Sequence, residues 1–198
     1  RPRAALSSAG AAVVVYDSHK AISGGVWASR CPGPGQSWTT VSLASGLENR
    51  LPDVATDSAG VWVAVWQTVD QTVTADGKLG DWDIMTARST DDGATWSSPK
   101  RLNSNAATDI GDDTAPRVSY SSGKWTCVWL STNSLGGSAG IDSDAMASES
   151  KDGGVTWSKV VAISPRATTD MPNDHEASAA VVAAPGGGVL VGSECCSG

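Results

Sequence analysis

One eight-residue motif occurs twice in this chain. STDDGATW spans Ser89 to Trp96, and SKDGGVTW spans Ser150 to Trp157, 61 residues later. The offset is carried by more than the motif. It also places Asp81 on Asp142, Asp83 on Asp144, Met85 on Met146, Asp109 on Asp170 and Asp113 on Asp174. Such a repeat constrains the fold strongly. Each unit must be one supersecondary element that buries its faces against copies of itself.

A second recurrent pattern gives each unit its secondary structure. PRAALSSAGAAVVVY begins at Pro2, PDVATDSAGVWVAVW at Pro52 and PRVSYSSGKWTCVW at Pro116, and a version without the proline, ASAAVVAAPGGGVLVG, begins at Ala177. Each reads as a strand, a Gly-containing turn and a second strand. In VWVAVW (Val61 to Trp66) the β-branched and Trp residues alternate as a pleated strand requires. A third strand follows, DIMTARS or DAMASES, then the eight-residue turn, then a fourth strand from the Trp. Four strands per unit of this length is the pattern of a β-propeller blade. The expected blades are 2–49, 52–105 and 116–164, with a half blade over 177–194. The first carries a degenerate motif, SRCPGPGQSW (Ser29 to Trp38), which keeps Gly35 and Trp38 but lacks the Asp. A half blade leaves an open strand edge. The expectation is therefore part of a larger propeller, or one that self-associates through its blade edges.

The motif S-x-D-x-G-x-x-W has a physical reading of its own. Gly93 and Gly154 supply positive φ at the turn. Asp91 and Asp152 accept turn N–H groups, and Ser89 and Ser150 extend that network. Trp96 and Trp157 place a large apolar ring beneath the turn. A catalytic group has no reason to recur in every blade, so the motif is expected to lock a turn.

Composition narrows the function classes. The net charge is −7 and the pI about 4.6, which argues against nucleic acid as a partner. No apolar run is long enough for a membrane helix. The start RPRAALSSAGAAVVVYD alternates and runs into a turn, so it reads as a strand pair and not as a signal peptide. The cysteines Cys31, Cys127, Cys195 and Cys196 form no CxxC pair, and His19 and His175 are the only histidines. No metal site is expected on that pattern. A disulfide from Cys195 or Cys196 to Cys31 or Cys127 stays open. The 22 glycines and nine tryptophans, with the acidity, agree with an extracellular or cell-surface protein.

The two full motifs resemble the Asp box of the sialidase (neuraminidase) superfamily, the BNR repeat of bacterial neuraminidases. The resemblance covers nearly the whole chain. It implies a six-bladed β-propeller, of which about three and a half blades are present, with the boxes on the rim away from the active site. It also implies where catalytic groups belong. Sialidases hold the sugar carboxylate with three arginines, use a Tyr–Glu pair as nucleophile and an Asp as acid/base. Arg50-Leu51-Pro52 is one conservative change from the R-I-P motif that carries the first arginine. Asp70 or Asp76 falls in the acid/base loop. No arginine occurs between Arg50 and Arg88, and neither Tyr16 nor Tyr120 has a recognisable Glu partner. Arg3 and Arg117 share a place after the strand proline and are expected to be structural.

Other candidates rest on position. The loop from Thr68 to Trp82 is long and faces a counterpart, Ser134 to Ser143, so Trp82 is a candidate sugar-stacking residue. The acidic loops TDIGDDTAP (Thr108 to Pro116) and TTDMPNDHEA (Thr168 to Ala177) carry oxygens suited to calcium, although turn chemistry explains them equally. His175 and Glu176 lie in the second. Two functions follow. One is a non-catalytic, carbohydrate-directed propeller acting as a binding or scaffold module, with a glycan or sialoglycoconjugate as partner and no cofactor. The other is part of an exo-α-sialidase-type glycoside hydrolase.

Overall fold

A computed structural model of the chain describes residues 2–19, 24–46, 48–69, 80–106, 110–137, 139, 143–164, 175–183 and 189–196; in the last two segments side chains are described only at Ala180 and Val181. The described residues are all β. The first sheet contains β1 (Arg3–Leu6), β2 (Ala12–Ser18), β3 (Gly25–Cys31) and β4 (Thr39–Ser45). The second contains β5 (Asn49–Thr56), β6 (Trp62–Val69), β7 (Trp82–Ser89) and β8 (Lys100–Arg101). The third contains β9 (Asp113–Ser121), β10 (Lys124–Ser131), β11 (Asp144–Ser150) and β12 (Val161–Ala162). A two-stranded sheet, β13 (His175–Ala183) with β14 (Val189–Cys196), follows. Every pair is antiparallel, and strands neighbour one another in sequence order. These are the stacked blades of a β-propeller. No helix is long and apolar enough to cross a membrane among the described residues.

Alternation along the second strand of each blade builds the stack. Trp62, Ala64 and Trp66 face the first blade, where they meet Val13, Val15, Val26 and Ala28. Val63 and Val65, one residue out of phase, face the third blade and meet Trp125, Cys127, Trp129 and Met146. Val128 and Leu130 then face β13, packing with Ile163 and Val181. A central strand buried on both faces needs apolar residues at successive positions, as β6 has from Trp62 to Trp66. Trp62, Trp66, Trp125 and Trp129 are fully buried. Truncating such a ring to Ala costs roughly 3–5 kcal/mol.

The innermost strands start earlier than the prolines suggest. β5 begins at Asn49 and β9 at Asp113, three residues before Pro52 and Pro116. The reason is a register shift in each strand, between Arg50 and Asp53 on β5 and opposite Val128 and Leu130 on β9. Leu51 and Ala115, just before the prolines, take φ of 50° and 53°. The preceding blade holds each exposed N–H. Leu51 N donates to Asp17 Oδ2 at 3.1 Å, and Ala115 N donates to Gln67 Oε1 at 2.9 Å. Asp17 and Gln67 occupy the same register place on their strands. The positive φ is thus a feature of the repeat and marks no special site.

Candidate functional site

Each blade has two ends. At one, β5 runs into β6 through a short hairpin and β7 runs into β8 through the S-x-D-x-G-x-x-W turn. Thr56 there pairs with Trp62, and Trp62 with Ser89. At the other end Asn49 pairs with Thr68, and Val69 with Trp82. The long β6–β7 connection and the crossover to the next blade lie there.

The box end is closed by hydrogen bonds. Ser89 Oγ donates to Asp91 Oδ1 (2.7 Å) and accepts from Gly93 N (2.9 Å). Asp91 Oδ1 accepts from Thr95 N (2.9 Å), and its Oδ2 accepts from Thr95 Oγ1 (2.6 Å). Ser150, Asp152, Gly154 and Thr156 repeat every one of these contacts. The Thr95 hydroxyl and amide hold the Asp91 carboxyl down to about 2. The Thr156 hydroxyl and amide likewise lower that of Asp152. Trp96 Nε1 donates to Gly93 O at 3.2 Å. Trp157 packs into the second–third blade core, and its Nε1 is buried with no partner among the described residues.

Both boxes dock on the preceding blade. Gly93 has φ of 81° and Gly154 of 80°. A Cβ on Gly93 would stand 2.7 Å from Val13 Cγ2, and one on Gly154 2.8 Å from Val63 Cγ2. An arginine stitches each junction. Arg30 Nε donates to Asp92 O at 2.6 Å, and Arg88 Nε donates to Gly153 O at 2.9 Å. The two arginines hold equivalent places, opposite Val13 and Val63. The third blade has Glu149 opposite Thr126 instead. The signal was present in the sequence as an arginine at the end of β3 and just before the box serine on β7. Its meaning needs the neighbouring blade.

The opposite end gathers side chains from three blades. Arg50, at the start of β5, sets its guanidinium carbon 5.3 Å from the centre of the Trp82 ring. Its Nη2 lies 3.7 Å from Glu48 Oε2. Asp17, which holds Leu51 N, also lies 3.6 Å from His19 Nε2. From the third blade, Asp112 Oδ1 accepts from Trp82 N at 3.1 Å and fixes the ring's backbone. Beneath, Asn49 Oδ1 accepts from Trp66 Nε1 (3.0 Å), and Asp113 Oδ1 from Trp129 Nε1 (2.9 Å). These tryptophan anchors recur in register and sequence reasoning missed them. A guanidinium on a half-buried indole, flanked by carboxylates, can bind a carboxylate or stack a sugar face.

The candidates divide accordingly. Arg50 and Trp82 come together at this end, and the box residues lie at the other. Asp70 and Asp76 lie outside the described residues, as do Thr168 to Asn173 and the side chains of His175, Glu176, Cys195 and Cys196. Cys31 and Cys127 are free thiols. Burial and the Asp53 charge push the Cys127 thiol well up. No group of three His, Cys, Asp or Glu side chains is placed to hold a metal among the described residues. Asp113 from the first acidic loop is occupied with Asn103 Nδ2 (2.6 Å) and Trp129. Arg3, Asp53 and Arg117 share one register place on the three innermost strands. Burial raises the Asp53 carboxyl, against the Val118 N–H bond and the neighbouring Arg117 and Arg3 charges.

No protein-family model and no curated protein sequence matches the chain. Solved structures do. A sialidase from Streptococcus pneumoniae is 20% identical, with a TM-score of 0.58 over 96% of this chain and 26% of its own. An α-L-arabinanase from Penicillium chrysogenum, complexed with arabinobiose, is 16% identical with a TM-score of 0.63 over 98% of this chain and 56% of its own. The intramolecular trans-sialidase from Ruminococcus gnavus, complexed with oseltamivir carboxylate, is 10% identical with a TM-score of 0.65 over 97% of this chain and 65% of its own. The chain thus spans less than two thirds of the length of each. It has the β-propeller fold that these sialidase and arabinanase structures share.

Proposed function

We propose that this chain is a sialidase-like, carbohydrate-directed propeller module, exported or displayed at the cell surface, that binds glycans at the end carrying Arg50 and Trp82. The observation that carries the reading is the cation–aromatic pair itself: Arg50 over Trp82 at 5.3 Å, on the end opposite the turn-locking boxes. The ring offers a sugar-stacking face and the guanidinium a fork for an acidic sugar. The boxes act as Asp boxes of the BNR type, one structural lock per blade. The module belongs to a six-bladed whole, or pairs with another copy through open blade edges. The resemblance in fold to glycan-processing enzymes makes a glycan or sialoglycoconjugate the ligand class to try first.

A second reading keeps the same end but adds hydrolysis of exo-α-sialosides. It is favoured by the placement of Arg50 within Arg50-Leu51-Pro52 at the head of β5, with Asp70 as its acid/base. Fluorogenic sialoside and aryl α-L-arabinofuranoside hydrolysis separates the two. The binding reading expects no turnover, with saturable 3′-sialyllactose or arabinobiose binding that Trp82→Ala abolishes. Turnover that Arg50→Ala removes would replace it with the hydrolase.

A further inference from the structure

A small groove of about 140 Å³ lies where the second blade meets the box of the third, lined by Thr86, Arg88, Ser97, Lys100, Gly154 and Val155. It sits beside the box, six residues along β7 from Trp82, so it is separate from the end described above. Its chemistry is unlike that of the same place in the other blades. Thr86 pairs with Lys100 across β7 and β8. The equivalent cross-strand pair is Ala28 with Val41 in the first blade and Ala147 with Val161 in the third. These equivalences follow from the shared partners Val15, Val65 and Val128 on the second strands. The fold itself therefore requires only a small and a branched apolar residue here. The second blade alone supplies a hydroxyl and an ammonium.

Ser97 is used internally, its Oγ accepting from Arg88 N at 3.1 Å and donating to Ser98 O at 3.3 Å, whereas among the described residues Thr86 and Lys100 are not. Thr86 is 5% exposed, and its Oγ1 is cut off from solvent with no hydrogen-bond partner among the described residues. A buried hydroxyl left unpaired is costly unless something else satisfies it. Lys100 is exposed and in no ion pair among the described residues. Arg88 spends Nε on Gly153 O and brings its charge to the groove wall. No carboxylate is among the described lining residues. In a chain of net charge −7, a groove with two cations and no acid selects an anion. Its size fits a single tetrahedral oxyanion.

We propose that this groove binds a sulfate or phosphate group, either as the free ion or as an ester on a sugar. Lys100 and Arg88 neutralise it from the groove wall. The test follows the amide shifts of Gly154, Val155 and Ser97 during titration with sodium sulfate, sodium phosphate or N-acetylglucosamine 6-sulfate, at ionic strength held constant with chloride. Thr86→Ala with Lys100→Val installs the residue types of the neighbouring blades and keeps Arg88 in place. Lys100→Gln is the gentler single variant. The expectation is saturable binding that is at least about tenfold weaker in both variants. Saturation by the free ions identifies the ion as ligand, and saturation by the sugar sulfate alone identifies the ester. No saturation with any of the three, or affinities unchanged in folded variants, overturns the proposal.

Discussion

The two ends of each blade use the same residue types for opposite purposes. At the box end, carboxylates, hydroxyls and arginines satisfy backbone groups: Asp91 serves Thr95, Ser89 serves Gly93, and Arg30 and Arg88 serve the next blade's carbonyls. The arrangement is duplicated almost atom for atom in the second and third blades. At the other end Asp17 and Gln67 hold backbone N–H groups, and Asn49 and Asp113 hold the indole N–H groups of Trp66 and Trp129. Arg50 contacts both Glu48 and Trp82 through its side chain, and in the third blade Thr114 takes its place. Repetition marks what the fold needs, and departure from it marks residues the fold does not require.

The sharpest way to break this contrast is at a box glycine. Gly154→Ala combines a left-handed backbone with a Cβ 2.8 Å from Val63 Cγ2. It is expected to cost roughly 2–4 kcal/mol in denaturant unfolding. A loss under about 0.5 kcal/mol would mean that the box does not lock the blade junction. Removing one stitch is milder. Arg88→Met keeps the stem but deletes the bond to Gly153 O, and should lower stability by about 1–2 kcal/mol.

The Asp91 lock predicts an acid dependence. Its folded carboxyl sits near 2, below the ordinary 3.8. Its contribution is therefore complete above about pH 4 and is lost as pH falls toward 2. Thermal melts of Asp91→Asn should fall less steeply than wild type over that interval. Parallel curves would contradict the lock. The smallest stability effect belongs to the other end: Trp82→Ala and Arg50→Ala should each change unfolding by under about 1 kcal/mol. Glycan affinity should nonetheless drop at least about tenfold. Variants that lose a box-sized share of stability would make this end structural too.

Much of the fold was legible in the sequence because its determinants are local and repeated. Val61 to Trp66 shows its strand alternation within six residues, and the box spells out its own turn. The site was legible only in pieces. Arg50 and Trp82 could each be singled out, but their contact depends on a register that brings β5, β6 and β7 together. Asp17 reaches Leu51 across 34 residues, and Arg88 reaches Gly153 across 65. Nothing in ARST or VYDS announces such partners. The bulge that moves β5 back to Asn49 was hidden for the same reason, since Asp17 in the preceding blade stabilises it.

The division of labour between the ends is tested most directly by hydrogen exchange with and without saturating 3′-sialyllactose. The account predicts new protection in peptides covering Glu48 to Asp53 and Trp82 to Met85. Exchange in the box turns, Ser89 to Trp96 and Ser150 to Trp157, should stay unchanged. Protection appearing in the box turns, or none appearing around Arg50 and Trp82, would contradict it.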